Sequence, residues 1–245
     1  MKDPIRSYAI GDIHGHLDAL KVAHARIKRD RDRTGDAAAP VVHLGDLVDR
    51  GPDSRGVIQH LVEGRAAGEP WEVMLGNHDR YFRRYLATGE LTEAQRPDVP
   101  WLRSSMGGAA TLASYGIDVV DLPRRVHSEA LRLVPPGHRA LLDAQRLSLR
   151  RGDVLFVHAG IRPGVPLDAQ DEEDLVWIRE PFLSDRRDHG ALVVHGHTAI
   201  DTAAHHGNRV NIDSSMAFGG HLTVIVIEGR EVWELTGKGR QALRP

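Results

Sequence analysis

The sequence predicts a mixed α/β fold with its chemistry at strand ends, and two observations carry that prediction. Short apolar runs at residues 7–10, 41–44, 71–75, 154–157 and 192–194 alternate with segments of helical or irregular spacing. This is the pattern of strands buried between helices. Each run is followed by a compact polar block: Gly11-Asp12-Ile13-His14-Gly15, Gly45-Asp46-Leu47-Val48-Asp49-Arg50-Gly51, Gly76-Asn77-His78-Asp79, His158-Ala159-Gly160 and Gly196-His197-Thr198. The carboxyl ends of strands are where α/β sheets bind ligands.

The chain has 245 residues, 41% of them hydrophobic, which is enough to bury one full core and predicts a single domain over residues 1–245. A formal net charge of -2 supplies no broad basic field, so neither nucleic acid nor an anionic membrane is an expected partner. Cysteine is absent. That excludes disulfides, thiolate metal ligands and a cysteine nucleophile. No stretch approaches about 18 consecutive apolar residues, and residues 1–10 lack the apolar run of a signal peptide. The expectation is a soluble, cytoplasmic protein.

In chain order, the first strand leads into a helix from Leu17, with Leu20, Ala23 and Ile27 on one face; the charged run at 28–33 reads as its solvated end, closed by Gly35. After the second strand, Asp53 or Ser54 can cap a helix carrying Val57, Ile58, Leu61 and Val62. The third strand precedes an amphipathic helix with Tyr81, Phe82, Tyr85 and Leu86. Residues 89–145 carry five prolines and no sustained period, and are read as an insertion over the site, a lid or specificity element. Within it a short helix opens at Gly107-Gly108, with Trp101 packed beneath. Leu147 and Leu149, the turn Arg151-Gly152-Asp153 and the following strand predict a hairpin. A short ordered element spans 174–181, and further strands fall at 210–212, 222–227 and 231–235.

The blocks contain the ligands of a dinuclear metal centre. Asp12 and His14, two residues apart, can grip one ion if the segment is extended. Asp46 can bridge, because a carboxylate has two oxygens, and Asn77, His158 and His197 then complete a second ion. Mixed oxygen and imidazole donors without sulfur suit two divalent ions, manganese first, with iron or zinc as alternatives. Such a pair clamps a phosphoryl group and acidifies the attacking water. Arg50, Arg179 and, third, Arg162 are the candidate phosphate-binding arginines. His78 is the candidate general acid, with Asp49 to hold its ring. Among the other histidines, His195 reads as packing beside the site, His43 as a satisfied core residue, and His16, His205 and His206 as exposed.

Taken together and in this order, from about residue 7 to residue 227, the blocks resemble the calcineurin-like metallophosphoesterases. They are closest in pattern to the bacterial and phage branch of the phosphoprotein phosphatase family, which also contains the symmetrical dinucleoside tetraphosphatases. The resemblance implies a β-sandwich of two mixed sheets flanked by helices. It assigns Asp12, His14 and Asp46 to the first metal, and Asp46, Asn77, His158 and His197 to the second. It also makes His78 with Asp49 the acid pair and Arg50 a phosphate ligand, with Arg179 the later phosphate arginine. Three positions depart from the pattern: Leu75 stands where many relatives have arginine, Asp79 replaces glutamate, and Ala199 takes the place of a second histidine. The first expectation for function is hydrolysis of phosphomonoesters, with a phosphorylated protein or small phosphoester as substrate. The alternatives are a bis(5'-nucleosyl)-tetraphosphatase and a metal-loaded phosphate-binding module without turnover.

Overall fold

The computed structural model describes residues 5–119 and 123–245. The chain runs through β1 (Arg6–Ile10), α1 (Leu17–Thr34), β2 (Val41–His43), α2 (Ser54–Ala66), β3 (Trp71–Val73), α3 (Asn77–Thr88), α4 (Gly108–Ser114), α5 (Pro123–Leu133) and α6 (Pro136–Asp143). It continues through β4 (Ser148–Arg151), β5 (Val154–Val157), α7 (Glu172–Trp177), β6 (Leu192–His195), β7 (Ala204–His205), β8 (Arg209–Asn211), β9 (Val224–Glu228), β10 (Glu231–Thr236) and β11 (Gly239–Leu243). One sheet has the order β11-β10-β9-β1-β2-β3 and the other β4-β5-β6-β8-β7. Both are mixed, as expected. β1, β2 and β3 are mutually parallel in the first, and β5, β6 and β8 in the second.

Strand side chains alternate between faces, and here each face has its own core. Ala9, Val42, Phe156, Val194, Val210 and Ile225 fill the layer shared by the two sheets. Their neighbours Tyr8, Ile10, Val41 and Val226 point the other way, under the helices. Leu155, Val157 and Val193 pack outward against Leu175 and Phe182. Burial on both faces explains why these strands read as continuous apolar runs rather than alternating ones.

The helices follow the sequence signals. Gly35 ends α1 with φ 71 and returns its N–H to the Arg31 carbonyl, and Asp53 caps α2 by accepting from Gly56 N at 2.7 Å. The charged end of α1 departs from expectation. Asp30 is buried rather than solvated, because Tyr8, Arg33 and Arg240 all donate to its carboxylate. Residues 89–145 are also more regular than their prolines suggested. They form α4, α5 and α6, which pack against α2 and α3 through Leu112, Val126, Ala130, Leu141 and Leu142; residues 120–122 of that segment lie outside the described residues. Pro123 and Pro136 open helices rather than break them, since the first helical position needs no N–H partner. Strands β7 and β11 are short or polar and carry no apolar signal. Among the described residues, no helix is long and apolar enough to cross a membrane.

Candidate metal centre

The parallel strands bring their carboxyl ends to one place. Asp12 follows β1, Asp46 follows β2, and Asn77 begins the helix after β3; His158 and His197 follow β5 and β6 across the sandwich. The loops adopt unusual backbone conformations to do so. Among the described residues, the non-glycine positions with positive φ are His14, Asp46, Asp49, Arg50, His197 and Ser215. Left-handed conformations of this kind cost energy and concentrate at functional sites. His14, at φ 45, therefore lies in a turn and not in an extended segment; the turn, rather than strand alternation, directs it. Close approach also demands glycine: a Cβ on Gly76 would stand 2.2 Å from Asp46 N, and one on Gly196 would stand 1.9 Å from Asp12 Oδ1.

Asp46 divides its two oxygens between two imidazoles. Its Oδ2 lies 3.5 Å from His14 Nε2 and its Oδ1 3.4 Å from His158 Nε2. The Nδ1–H groups of both rings are spent on main-chain carbonyls, His14 on Val48 O and His158 on Leu44 O, each at 2.8 Å. Each Nε2 thus presents a lone pair toward a carboxylate, which is unfavourable unless a cation intervenes. Burial lowers the pKa of both imidazoles, keeping them neutral as metal ligands must be. Arg50 already donates Nη1 to His14 Nε2 at 2.9 Å, so a positive group stands where that lone pair points.

Asn77 Oδ1 sits 3.0 Å from His158 Nε2 and 2.9 Å from His197 Nδ1. His197 Nε2 is buried with no hydrogen-bond partner, and so is Asp12 Oδ1, although Asp12 Oδ2 accepts from His197 N at 3.0 Å. Burial, and then the charges of Asp213 and Asp46, push the Asp12 carboxyl well above its ordinary pKa. Crowded carboxylates and orphaned buried lone pairs of this kind fit divalent cations. Asp46, His158 and His197 form one set with ligand atoms within 4.8 Å of one another. A second set of that kind joins His14 and Asp46 with His78; among the described residues Asp12 stands in neither set and reaches the centre through the cavity wall.

The His78 ring is fixed from its other edge, which leaves Nε2 as the atom facing the cavity. Its Nδ1 lies 2.7 Å from Asp49 Oδ2, the expected pair. Asp49 is fully buried and also accepts from Trp101 Nε1 at 2.8 Å and Thr111 Oγ1 at 2.6 Å. Both donors come from the 89–145 segment.

A cavity of about 470 Å³ opens over the centre, lined by Asp12, Asp46, Asn77, His78 and His197, by Arg50 and Arg179, and by Ser105, Met106, Trp177, Asp213 and Phe218. Arg179 lines it without an ion pair at salt-bridge distance among the described residues; burial and the nearby Arg96 lower its pKa. Arg162 is placed elsewhere. Its guanidinium is engaged by both oxygens of Asp174, at 2.6 and 2.5 Å, so it is not positioned to bind substrate. His195 is likewise turned away, onto Gly196 O and Arg209. Asp79 fastens the ligand loops, accepting from Leu47 N and Gly76 N at 2.9 and 3.2 Å. Burial, and then Asp46, raise its pKa to about 7.

Sequence reasoning missed Asp213, Phe218 and the donors Trp101 and Thr111. For Asp213 a signal existed: it stands two residues past β8, the third parallel strand of its sheet, as Asp12 stands two past β1. Burial and the charge of Asp46 raise its pKa to about 6.

With this geometry in view, the likeness to known proteins is specific. The profile of the calcineurin-like phosphoesterase family matches residues 5–227, and the chain belongs to that family, a class of metal-dependent hydrolases of phosphoric esters. Within it, the chain is 27% identical over 203 residues to the asymmetrical bis(5'-nucleosyl)-tetraphosphatase PrpE of Anoxybacillus flavithermus, covering 74% of this chain and 73% of that protein. It is 36% identical over 73 residues to the symmetrical bis(5'-nucleosyl)-tetraphosphatase of Hamiltonella defensa; that match covers 30% of this chain and spans 24% of the relative's length. A crystal structure described as a putative diadenosine tetraphosphatase superposes with a TM-score of 0.62 at 21% identity, covering 94% of this chain and 92% of the other, a likeness of fold.

Proposed function

We infer that this chain hydrolyses dinucleoside polyphosphates, cutting a phosphoanhydride bond with a pair of divalent cations. The observation that carries the hydrolytic reading is Asp46, whose two oxygens face two separate sets of neutral donors beneath a cavity flanked by Arg50 and Arg179. The choice of substrate is supported by the names of the matched relatives, which favour nucleotides over the phosphoproteins expected first.

Asp12, His14, Asp46, Asn77, His158 and His197 would hold the cations, which when bound would supply Lewis-acid stabilisation of the phosphoryl group and a more acidic water. The chain's own residues do the rest. Arg50 and Arg179 bind and orient the phosphoryl oxygens, matching their planar faces with paired N–H donors. Asp49 fixes the His78 ring through Nδ1, leaving Nε2 to give its proton to the leaving oxygen. Residues 89–145 act less as a cover than as a support: Ser105 and Met106 reach the cavity wall, while Trp101 and Thr111 brace Asp49.

The test is a substrate panel on the manganese-loaded protein: diadenosine tetraphosphate, a chromogenic monoester, its diester and a phosphopeptide. The expected result is the highest kcat/KM on the dinucleotide. Release of ADP alone places the cut at the centre of the chain, and AMP with ATP places it to one side. Preference for the phosphopeptide would overturn the assignment in favour of a protein phosphatase, and silence on all four would favour a binding module.

A further inference from the structure

Phosphoryl chemistry gives no task to an apolar ring at the mouth of the cavity. Phe218 stands on its rim and, among the described residues, is the most exposed of the large apolar side chains, at 68%. Its ring is not stray surface. The Arg50 guanidinium covers one face at 5.0 Å from the ring centroid, and Arg50 is also the arginine next to the metal ligand His14.

The turn that carries the ring is locked. Met216–Phe218 form a single 3-10 turn between two left-handed residues, Ser215 at φ 60 and Gly219 at φ 88. Ser215 N donates to Asp213 Oδ1 at 3.1 Å, and Ser215 Oγ donates to Ile200 O at 2.8 Å. The aromatic plane is therefore tied to the cavity wall by the same segment that supplies Asp213. Trp177, the other aromatic ring in the cavity, is already occupied: Arg96 covers it at 4.1 Å, and Tyr81 and His197 abut it edgewise.

An exposed aromatic plane backed by a guanidinium and anchored beside a phosphoryl site has the chemistry of a nucleobase platform, because every base offers a π-face and stacking tolerates sequence. We propose that Phe218 stacks a nucleobase of the substrate on its open face, so that the polyphosphate runs past Arg50 to the metal centre. This rests on the nucleotide reading of the site and deepens it: the enzyme would select its substrates by a base held at the rim.

The experiment compares the wild type, Phe218→Ala and Phe218→Trp on diadenosine tetraphosphate and on tripolyphosphate, an anion of similar charge with no base. ADP binding to the metal-loaded proteins is measured in parallel by calorimetry. Phe218→Ala should raise the KM for the dinucleotide by about 5- to 150-fold relative to the KM for tripolyphosphate, with weaker ADP binding and little change in kcat. Phe218→Trp should restore both. Equal KM changes on the two substrates, or none, would overturn the platform while leaving the nucleotide reading intact. A wild type that cleaves tripolyphosphate or a monoester but neither cleaves nor binds nucleotides overturns the nucleotide reading, and the platform with it.

Discussion

Asp49 shows how much of this site depends on one carboxylate. It receives His78, Trp101 and Thr111 together, and its own N–H is accepted by Thr111 Oγ1 at 2.8 Å, so ring, loop and insertion are fixed through a single residue. Removing one donor should misalign the acid without touching the metals. Thr111→Val is expected to lower kcat about 10-fold on substrates with poor leaving groups, and far less on activated esters, with metal content unchanged. Equal loss on both classes would show that Thr111 serves folding rather than proton transfer. The residues that converge on the centre were legible because each sits in a short block dense in chemistry beside an apolar run. Phe218 and Thr111 were not: their neighbours carry no such density, and only the folded chain brings Thr111 within 2.6 Å of Asp49, 62 residues away.

The elements around the centre are joined by a row of imidazoles that takes no part in it. His60 of α2, His24 of α1 and His43 of β2 stand in sequence at 2.9 Å spacings, and His43 passes its Nδ1–H to Glu72 O. Trp71 stacks on His24 at 4.1 Å. His43 is thus the satisfied core histidine its position implied. Burial, followed by the neighbouring imidazoles and Arg31, lowers His24 to about 2, and burial lowers His43 to about 4. Lys21 adds to burial in lowering His60, while Glu63 opposes them. Folded pKa values below the unfolded value of about 6.5 mean that the folded chain prefers the neutral rings. Their contribution is complete above that value and is lost as pH falls toward the folded values. Urea unfolding should therefore show stability falling between roughly pH 6.5 and pH 4, by up to about 1.4 kcal/mol per pH unit for each of His24 and His43. His24→Gln should flatten that slope; an unchanged slope would assign the loss to other groups.

Element boundaries in the first ninety residues could be read from caps and periodicity, as at Asp53 and Gly35. In the 89–145 segment the start of α4 at Gly107-Gly108 could be read, but α5 and α6 could not, because α6 is short and α5 shows only Val126 and Ala130 to the core as fully buried positions.

At the scale of the molecule, the sandwich is what makes the centre possible. Three ligand loops come from the first sheet and two from the second, and Asp46 and His158 meet only because Ala9, Val42 and Leu44 pack against Phe156 and Val194 between the sheets. Apolar runs did not distinguish one sheet from two, since strands covered on both faces read alike in either case; the order of the polar blocks did, through the family they resemble. β11 closes the molecule by sending Arg240 to both Asp30 and Glu228, a contact no local pattern announces.

The central claim is that Asp46 is shared by two cations, and metal stoichiometry tests it most directly. Protein reconstituted with manganese, freed of excess and measured by inductively coupled plasma mass spectrometry, should carry two ions per chain, and Asp46→Asn should lose both in large part while remaining folded by circular dichroism. A wild-type chain that retains a single ion, or an Asp46→Asn variant that still holds two, would contradict it.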